Sequence, residues 1–151
     1  MGKEVDVGIG KLEVSKKNRV FVARALGSCV GLAMYDEKKK IGGMAHVLLP
    51  EGDKDKPEKP AMYADEAVRK LRKQIIDMGG NKRNLEAKIA GGSQMFSFKA
   101  EGVVGKKNVE AVENALDKWN IKLAGKDTGG KHARTVKFSL GSMSMKIQIK
   151  V

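Results

Sequence analysis

The chain is poor in the residues that metal and redox chemistry draw on: its 151 residues include one cysteine and two histidines. A single cysteine excludes an intrachain disulfide and a multi-thiolate metal site, and no carboxylate cluster accompanies the histidines. No metal centre and no cofactor are therefore expected. Aromatic residues make up only 5%, leaving few platforms on which nucleic-acid bases could stack. No apolar run approaches the ~20 residues of a membrane helix, and Met1-Gly2-Lys3-Glu4-Val5-Asp6 lacks the apolar segment of a signal peptide. These absences point to a reducing cytoplasmic setting without membrane insertion.

The charged residues are unevenly signed, 30 Lys and Arg against 18 Asp and Glu, for a net charge of +12. Such an excess favours acidic partners, whether nucleic acid, an anionic membrane or an acidic protein surface. The lysines are spread along the chain, so a solvated surface accounts for them equally well. With 41% hydrophobic and 32% charged residues the composition is that of a globular protein, and the length suits one domain over residues 1–151.

The organising stretch is Ala25-Leu26-Gly27-Ser28-Cys29-Val30. An apolar run from Val20 to Leu26 breaks at Gly27-Ser28 and resumes as Val30-Gly31-Leu32-Ala33-Met34-Tyr35, the pattern of two strands meeting at a tight turn. A thiol at that strand end would lie near backbone amides able to stabilise negative charge. A lone cysteine in apolar surroundings also reads as a small core residue. The following strand, Ile41 to Leu49, carries His46. If residues 30–35 and 41–48 pair antiparallel about the polar loop 36–40, His46 returns level with the start of the preceding strand, close to Cys29. A nucleophile with its base in reach is the first demand of thiol catalysis. Beside an imidazolium a cysteine pKa falls from near 8.5 to ~3.5–7.5, giving thiolate at neutral pH.

The rest of the chain reads as an α+β domain. Strands are expected over residues 3–9, around Leu12 and Val14, over Val20–Ala23, Leu85–Ala90 and Ile121–Ala124, and in a C-terminal hairpin of Thr135–Leu140 and Met143–Val151. One helix is expected over Ala61–Met78, with Ala64, Ala67, Val68, Leu71, Ile75 and Met78 on one face and Gly79-Gly80 closing it. A second is expected over 106–119, marked by Val109, Val112, Leu116 and Trp119, with 97–104 as loop. Residues 51–60, charged and holding two prolines, read as a contact loop or lid. About eight strands and two helices without βαβ alternation predict layered antiparallel or mixed sheets, a β-sandwich-like core flanked by two helices. Gly91-Gly92 at a strand end would let another backbone come close, a substrate's among them.

Several motifs fail. Gly105-Lys106 is followed by Lys107 where a phosphate loop needs Ser or Thr, and Gly8-Ile9-Gly10 lacks the third glycine of a dinucleotide fingerprint. Gly102-Val103-Val104-Gly105 fits the four-letter GXXG of an RNA-binding loop, a match of very low specificity. His132 sits in a polar turn and reads as a surface residue.

Taken in order, six segments resemble the chemoreceptor glutamine deamidase family, CheD. They are Leu26-Gly27-Ser28-Cys29-Val30; Met44-Ala45-His46-Val47-Leu48-Leu49-Pro50; Tyr63-Ala64-Asp65-Glu66-Ala67-Val68; Lys88-Ile89-Ala90-Gly91-Gly92-Ser93-Gln94-Met95-Phe96; Asn108-Val109-Glu110-Ala111-Val112; and Asp127-Thr128-Gly129-Gly130. The resemblance implies a hydrolase that converts chemoreceptor glutamines to glutamates, with stacked sheets flanked by helices as in other cysteine hydrolases and deamidases. It implies receptor cytoplasmic helices as substrate and a CheC-type CheY-phosphate phosphatase as regulatory partner, with no nucleic acid. The family's nucleophile falls on Cys29 and its histidine on His46. Its third catalytic residue, a threonine six places before the cysteine, is Ala23 here, so another acceptor must orient His46 or activity is weakened. The Arg-Asn pair that often opens the second helix is Lys107-Asn108.

The chemistry so implied is acyl transfer: Cys29 attacks the carboxamide, amides around Ser28-Cys29 or Gly91-Gly92 hold the oxyanion, and Ser93 lies beside them. His46 protonates ammonia and then activates water. The rival reading is a binding module that docks on receptors or a CheC-type phosphatase without turnover, and an RNA-binding domain is a distant third.

Overall fold

The strands sort into two sheets. The computed structural model describes residues 2–52, 59–94 and 99–150, with the backbone alone for 99–103 and 150. Its elements are β1 Lys3–Asp6, β2 Leu12–Ser15, β3 Arg19–Leu26, β4 Val30–Asp36, β5 Ile41–Val47, α1 Ala64–Asp77, β6 Leu85–Gly91, α2 Lys99–Lys118, β7 Lys122–Thr128, β8 Ala133–Ser139 and β9 Ser144–Lys150. Strands β2-β5-β4-β6-β7 make a five-stranded sheet and β1-β3-β8-β9 a four-stranded one. Most neighbours pair antiparallel, while β1 with β3 and β6 with β7 are parallel.

Strands β4 and β5 are buried along their whole length because both faces of their sheet are covered. On one face Leu32, Met34 and Val47 meet Val68, Leu71 and Ile75 of α1 and Val112 and Leu116 of α2. On the other, Ala33, Tyr35 and Met44 meet Phe21, Val136 and Phe138 of the second sheet, and the Tyr35 and Phe138 rings stack at 5.4 Å. Each large side chain so buried contributes about 1.5–3 kcal/mol. The layers run helices, five-stranded sheet, four-stranded sheet: the α+β layered architecture the sequence predicts. The outer face of the four-stranded sheet is uncovered, and β8 accordingly alternates buried with half-buried residues.

Several boundaries differ from expectation. Helix α1 begins at Ala64 instead of Ala61, since the carbonyl of Met62 accepts from the amides of Leu48 and Leu49 and holds the preceding turn to the end of β5. Met78 lies just past α1 and is 40% exposed, so it leaves the apolar face. Helix α2 begins at Lys99, taking in residues expected as loop, and β7 runs on to Thr128 before the Gly129-Gly130 turn. Most of the expected charged loop (53–58), together with Met95 and Phe96, lies outside the described residues. His132 is exposed, as expected.

Candidate active site

The cysteine turn is set by a kink and a close approach. Strand β3 bulges between Ala23 and Leu26, where its register with β8 shifts and Ala25 takes a φ of 54°. Left-handed backbone costs a non-glycine residue roughly 1–2 kcal/mol, and bulges commonly re-aim a chain beside a functional site. Beyond it Gly27 and Ser28 are half-buried, and Cys29 is buried with 8% exposure. Gly91, at φ 113°, packs so tightly that a Cβ there would collide with the Cys29 carbonyl. The amide of Gly92 donates to the Cys29 carbonyl at 2.9 Å, and that of Ser93 to the Gly27 carbonyl at 2.8 Å.

The backbone admitted by the diglycine is thus the chain's own cysteine turn, where the sequence left room for a substrate. The amides of Gly92 and Ser93 are also committed, which removes them as oxyanion donors. Those of Gly27, Ser28 and Cys29 donate no hydrogen bond among the described residues. Ser93 is 1% exposed, and its hydroxyl donates to the His132 carbonyl at 2.8 Å and accepts from Arg134 Nη1 at 2.7 Å. It braces the glycine loop from beneath.

Strands β4 and β5 pair with Gly31 opposite His46 and Val30 opposite Val47, the register the hairpin implies. Residues two apart share a face, so Cys29 and His46 both turn toward the four-stranded sheet. Cys29 directly precedes β4, one residue beyond the Val30–Val47 rung, and its thiol makes no hydrogen bond with Nε2 of His46. Gly31 faces His46 across the ladder, and Leu26 fills the space where its side chain would stand. A Cβ built on it would lie 3.2 Å from Leu26 Cδ1 and 3.9 Å from the Ala23 methyl, so position 23 overlooks the pair.

His46 is 2% exposed, and its Nδ1–H donates to the Val7 carbonyl at 3.0 Å. A carbonyl accepts only, so the proton sits on Nδ1 and the lone pair on Nε2. Nε2 is buried and has no hydrogen-bond partner among the described residues. Val7 is itself pinned by its amide to the Val22 carbonyl at 2.8 Å. This supplies the acceptor that the alanine at position 23 does not.

Burial sets the electrostatics. It pushes the Cys29 thiol up from its ordinary pKa. It pushes His46 down, a shift the Val7 hydrogen bond opposes and the Lys59 cation reinforces. Both shifts favour the neutral thiol and the neutral imidazole over a thiolate–imidazolium pair.

Two further groups hold the site together: Asn108, which the sequence offered only as part of a family pair, and Arg134, which it did not single out. Asn108 of α2, fully buried, donates from Nδ2 to the carbonyls of Ser28 at 2.8 Å and Leu48 at 3.0 Å. Arg134 of β8, 6% exposed, reaches Ser93 from Nη1 and Asp127 Oδ1 at 3.1 Å from Nη2, tying the two sheets beneath the glycine loop. A buried polar residue on an otherwise apolar helical stripe was the available signal for Asn108. A surface recess of about 490 Å³ lies on the outer face of the four-stranded sheet around Val20, Lys137 and Ile147, away from both Cys29 and His46. No three His, Cys, Asp or Glu side chains among the described residues converge as a metal site would require.

Comparison with known proteins bears on this arrangement. Residues 48–149 match the family described as CheD chemotactic sensory transduction, a stretch that starts just after His46. Longer alignments carry the likeness across Cys29 and His46. The chain is 41% identical over 149 residues to the probable chemoreceptor glutamine deamidase CheD of Pyrococcus horikoshii, covering 97% of this chain and 92% of the relative. It is 46% identical over 134 residues to the chemoreceptor glutamine deamidase CheD of Thermotoga maritima, covering 89% and 84%. The probable CheD of Methanococcus vannielii is 40% identical over 136 residues, again 89% and 84%. With the layered fold, the cysteine turn and sequence identity running nearly end to end, the chain belongs to the CheD family.

Proposed function

We propose that this chain, acting as a single catalytic domain, is a chemoreceptor glutamine deamidase with Cys29 as nucleophile and His46 as general base and acid. The observation that carries the reading is the His46 imidazole, held with Nδ1–H on the Val7 carbonyl and a bare Nε2 on the face it shares with Cys29. Because burial favours the neutral forms, Nε2 takes the thiol proton as sulfur attacks the carboxamide carbon. It gives that proton to ammonia as the C–N bond breaks and a thioester forms. Water then attacks the thioester, losing a proton to Nε2, and the C–S bond breaks to release glutamate and return the thiol. The free amides of Ser28 and Cys29 are the oxyanion donors in this scheme.

The substrate class is the cytoplasmic helices of chemoreceptors, for which the +12 charge suits acidic surroundings, with a CheC-type phosphatase as regulatory partner. The test is incubation of the purified protein with a receptor cytoplasmic fragment, reading ammonia release and the amide-to-acid mass change by peptide mapping. Site-specific conversion is expected. Tight binding to the fragment without conversion would replace catalysis with the docking role.

A further inference from the structure

Helix α2 presents its core stripe as Gly105, Asn108, Val112, Ala115 and Leu116, and one member of that stripe is polar. A buried amide is tolerated only where its hydrogen bonds are made. Asn108 uses Nδ2 for two carbonyls on two different segments. Ser28 directly precedes Cys29, and Leu48 follows the last residue of β5, two places after His46. The ladder between β4 and β5 ends at the pair Val30–Val47, so Ser28 and Leu48 lie just beyond its last rung. The asparagine continues the join where strand pairing stops. Its orientation is unambiguous, because the reversed amide would set an oxygen against two carbonyl oxygens. Oδ1 is buried and has no partner among the described residues, so the residue is kept there for its donors.

One turn earlier, Gly105 brings the helix onto the other wall of the site. A Cβ at 105 would come within 2.6 Å of the Ser93 carbonyl and 2.8 Å of the Gly92 carbonyl, so only glycine lets α2 sit this close. The cysteine turn, the histidine strand end and the glycine loop thus all meet one helical turn, residues 105–108.

We infer that Asn108 is a positioning residue for deamidation: its side-chain amide fixes the thiol-bearing turn against the end of the histidine-bearing strand. The inference rests on the reading of Cys29 and His46 as nucleophile and base. It predicts that loss of the donors changes the transition state more than substrate binding, and changes the thiol even when no substrate is present.

The experiment compares full-length wild type, Asn108→Ala and Asn108→Asp in receptor-fragment turnover and in alkylation of Cys29 by iodoacetamide. Asn108→Ala is expected to lower kcat by about tenfold or more while KM moves by less than about threefold. Alkylation is expected to quicken by about threefold or more, because a loosened turn exposes a thiol that burial had suppressed. Asn108→Asp keeps the shape and loses both donors, so it should be at least as damaging as alanine. An aspartate variant close to wild type would mean that the site needs only the volume, and would overturn the inference. A folded alanine variant whose alkylation rate matches wild type would overturn it too, whatever its kcat, since the turn would then be held without the asparagine. If wild type shows no turnover, the proposed function fails by itself and the alkylation comparison still decides this point. If neither variant folds, the wild-type side-chain NH2 protons of Asn108 decide: exchange with solvent slowed by about 10² or more supports the clamp, and unprotected exchange overturns it.

Discussion

The two sheets divide the work unequally. The five-stranded sheet is buried on both faces at β4 and β5, and both proposed reacting groups lie at one end of that hairpin, where the ladder stops and Asn108 takes over. The four-stranded sheet is covered on one face only and contributes no reacting atom. It supplies supports instead: the Val7 carbonyl just past β1, the Ala23 methyl of β3 and the Arg134 guanidinium of β8. The difference locates the chemistry in the dry, doubly covered layer and its adjustment in the half-open one. Substitutions in the first layer should be costly, and those in the second graded.

The sharpest test of that division is Cys29→Ala, which should abolish deamidation while leaving the fold intact, as a methyl still fills the turn. Conversion at wild-type rate by this variant, read by peptide mass, would end the nucleophile assignment. Next in size, His46→Asn should lower kcat/KM by about 10²–10⁴-fold, the usual worth of a positioned acid–base group. His46 also carries a pH signature. Its folded pKa lies below the ordinary value of about 6.5, so the unfolded chain binds the proton more readily. Its contribution to stability is therefore complete above about pH 6.5 and is lost as pH falls through the lowered folded value. Acid titration of wild type and His46→Asn, followed by thermal melting, should show that loss in wild type alone.

The contrast between the layers can be measured directly. Leu32→Ala, in the doubly covered sheet, should cost about 2–5 kcal/mol, whereas Thr135→Ala, on the outward side of β8, should stay within about 0.5 kcal/mol. Equal shifts in denaturant midpoint would erase the distinction. The smallest effect on turnover is expected for Ala23→Thr. Position 23 overlooks His46, yet the Val7 carbonyl already fixes the imidazole, so a second orienting bond should add at most about 1 kcal/mol, several-fold in rate. A large loss of turnover with the fold retained would show that the methyl fills space the imidazole needs.

Sequence reasoning reached what side-chain patterns encode. The unbroken run Val30–Tyr35 and its partner Ile41–Val47 announce a buried hairpin, and the loop length fixes the register that sets His46 across from Gly31. The alternation of the C-terminal hairpin announces a half-covered sheet. Much of what it missed is carried by backbone. Val7 acts through a carbonyl, which any residue at that position possesses, and its approach depends on the parallel pairing of β1 with β3. Gly102-Val103-Val104-Gly105 reads as a weak GXXG match ahead of the helix, whereas Gly105 lies within α2 as a seat against the Gly92 and Ser93 carbonyls. Gly91-Gly92 reads as room for a visitor and is occupied by the cysteine turn.

The placement of Val7 has a consequence for how this protein would respond to its medium. The imidazole tautomer depends on the chain just beyond β1, a four-residue edge strand whose side chains are mostly exposed. Its lateral hold includes solvent-facing ion pairs, Arg24 with Asp6 at 3.1 Å and Lys137 with Glu4 at 2.8 Å. Added electrolyte weakens such pairs and leaves the dry interior untouched. Fraying of this one ribbon would free the ring to rotate and its proton to change nitrogen while the bulk of the molecule stays folded. With His46 as the proposed base, turnover is expected to fall modestly with added salt before any loss of melting temperature.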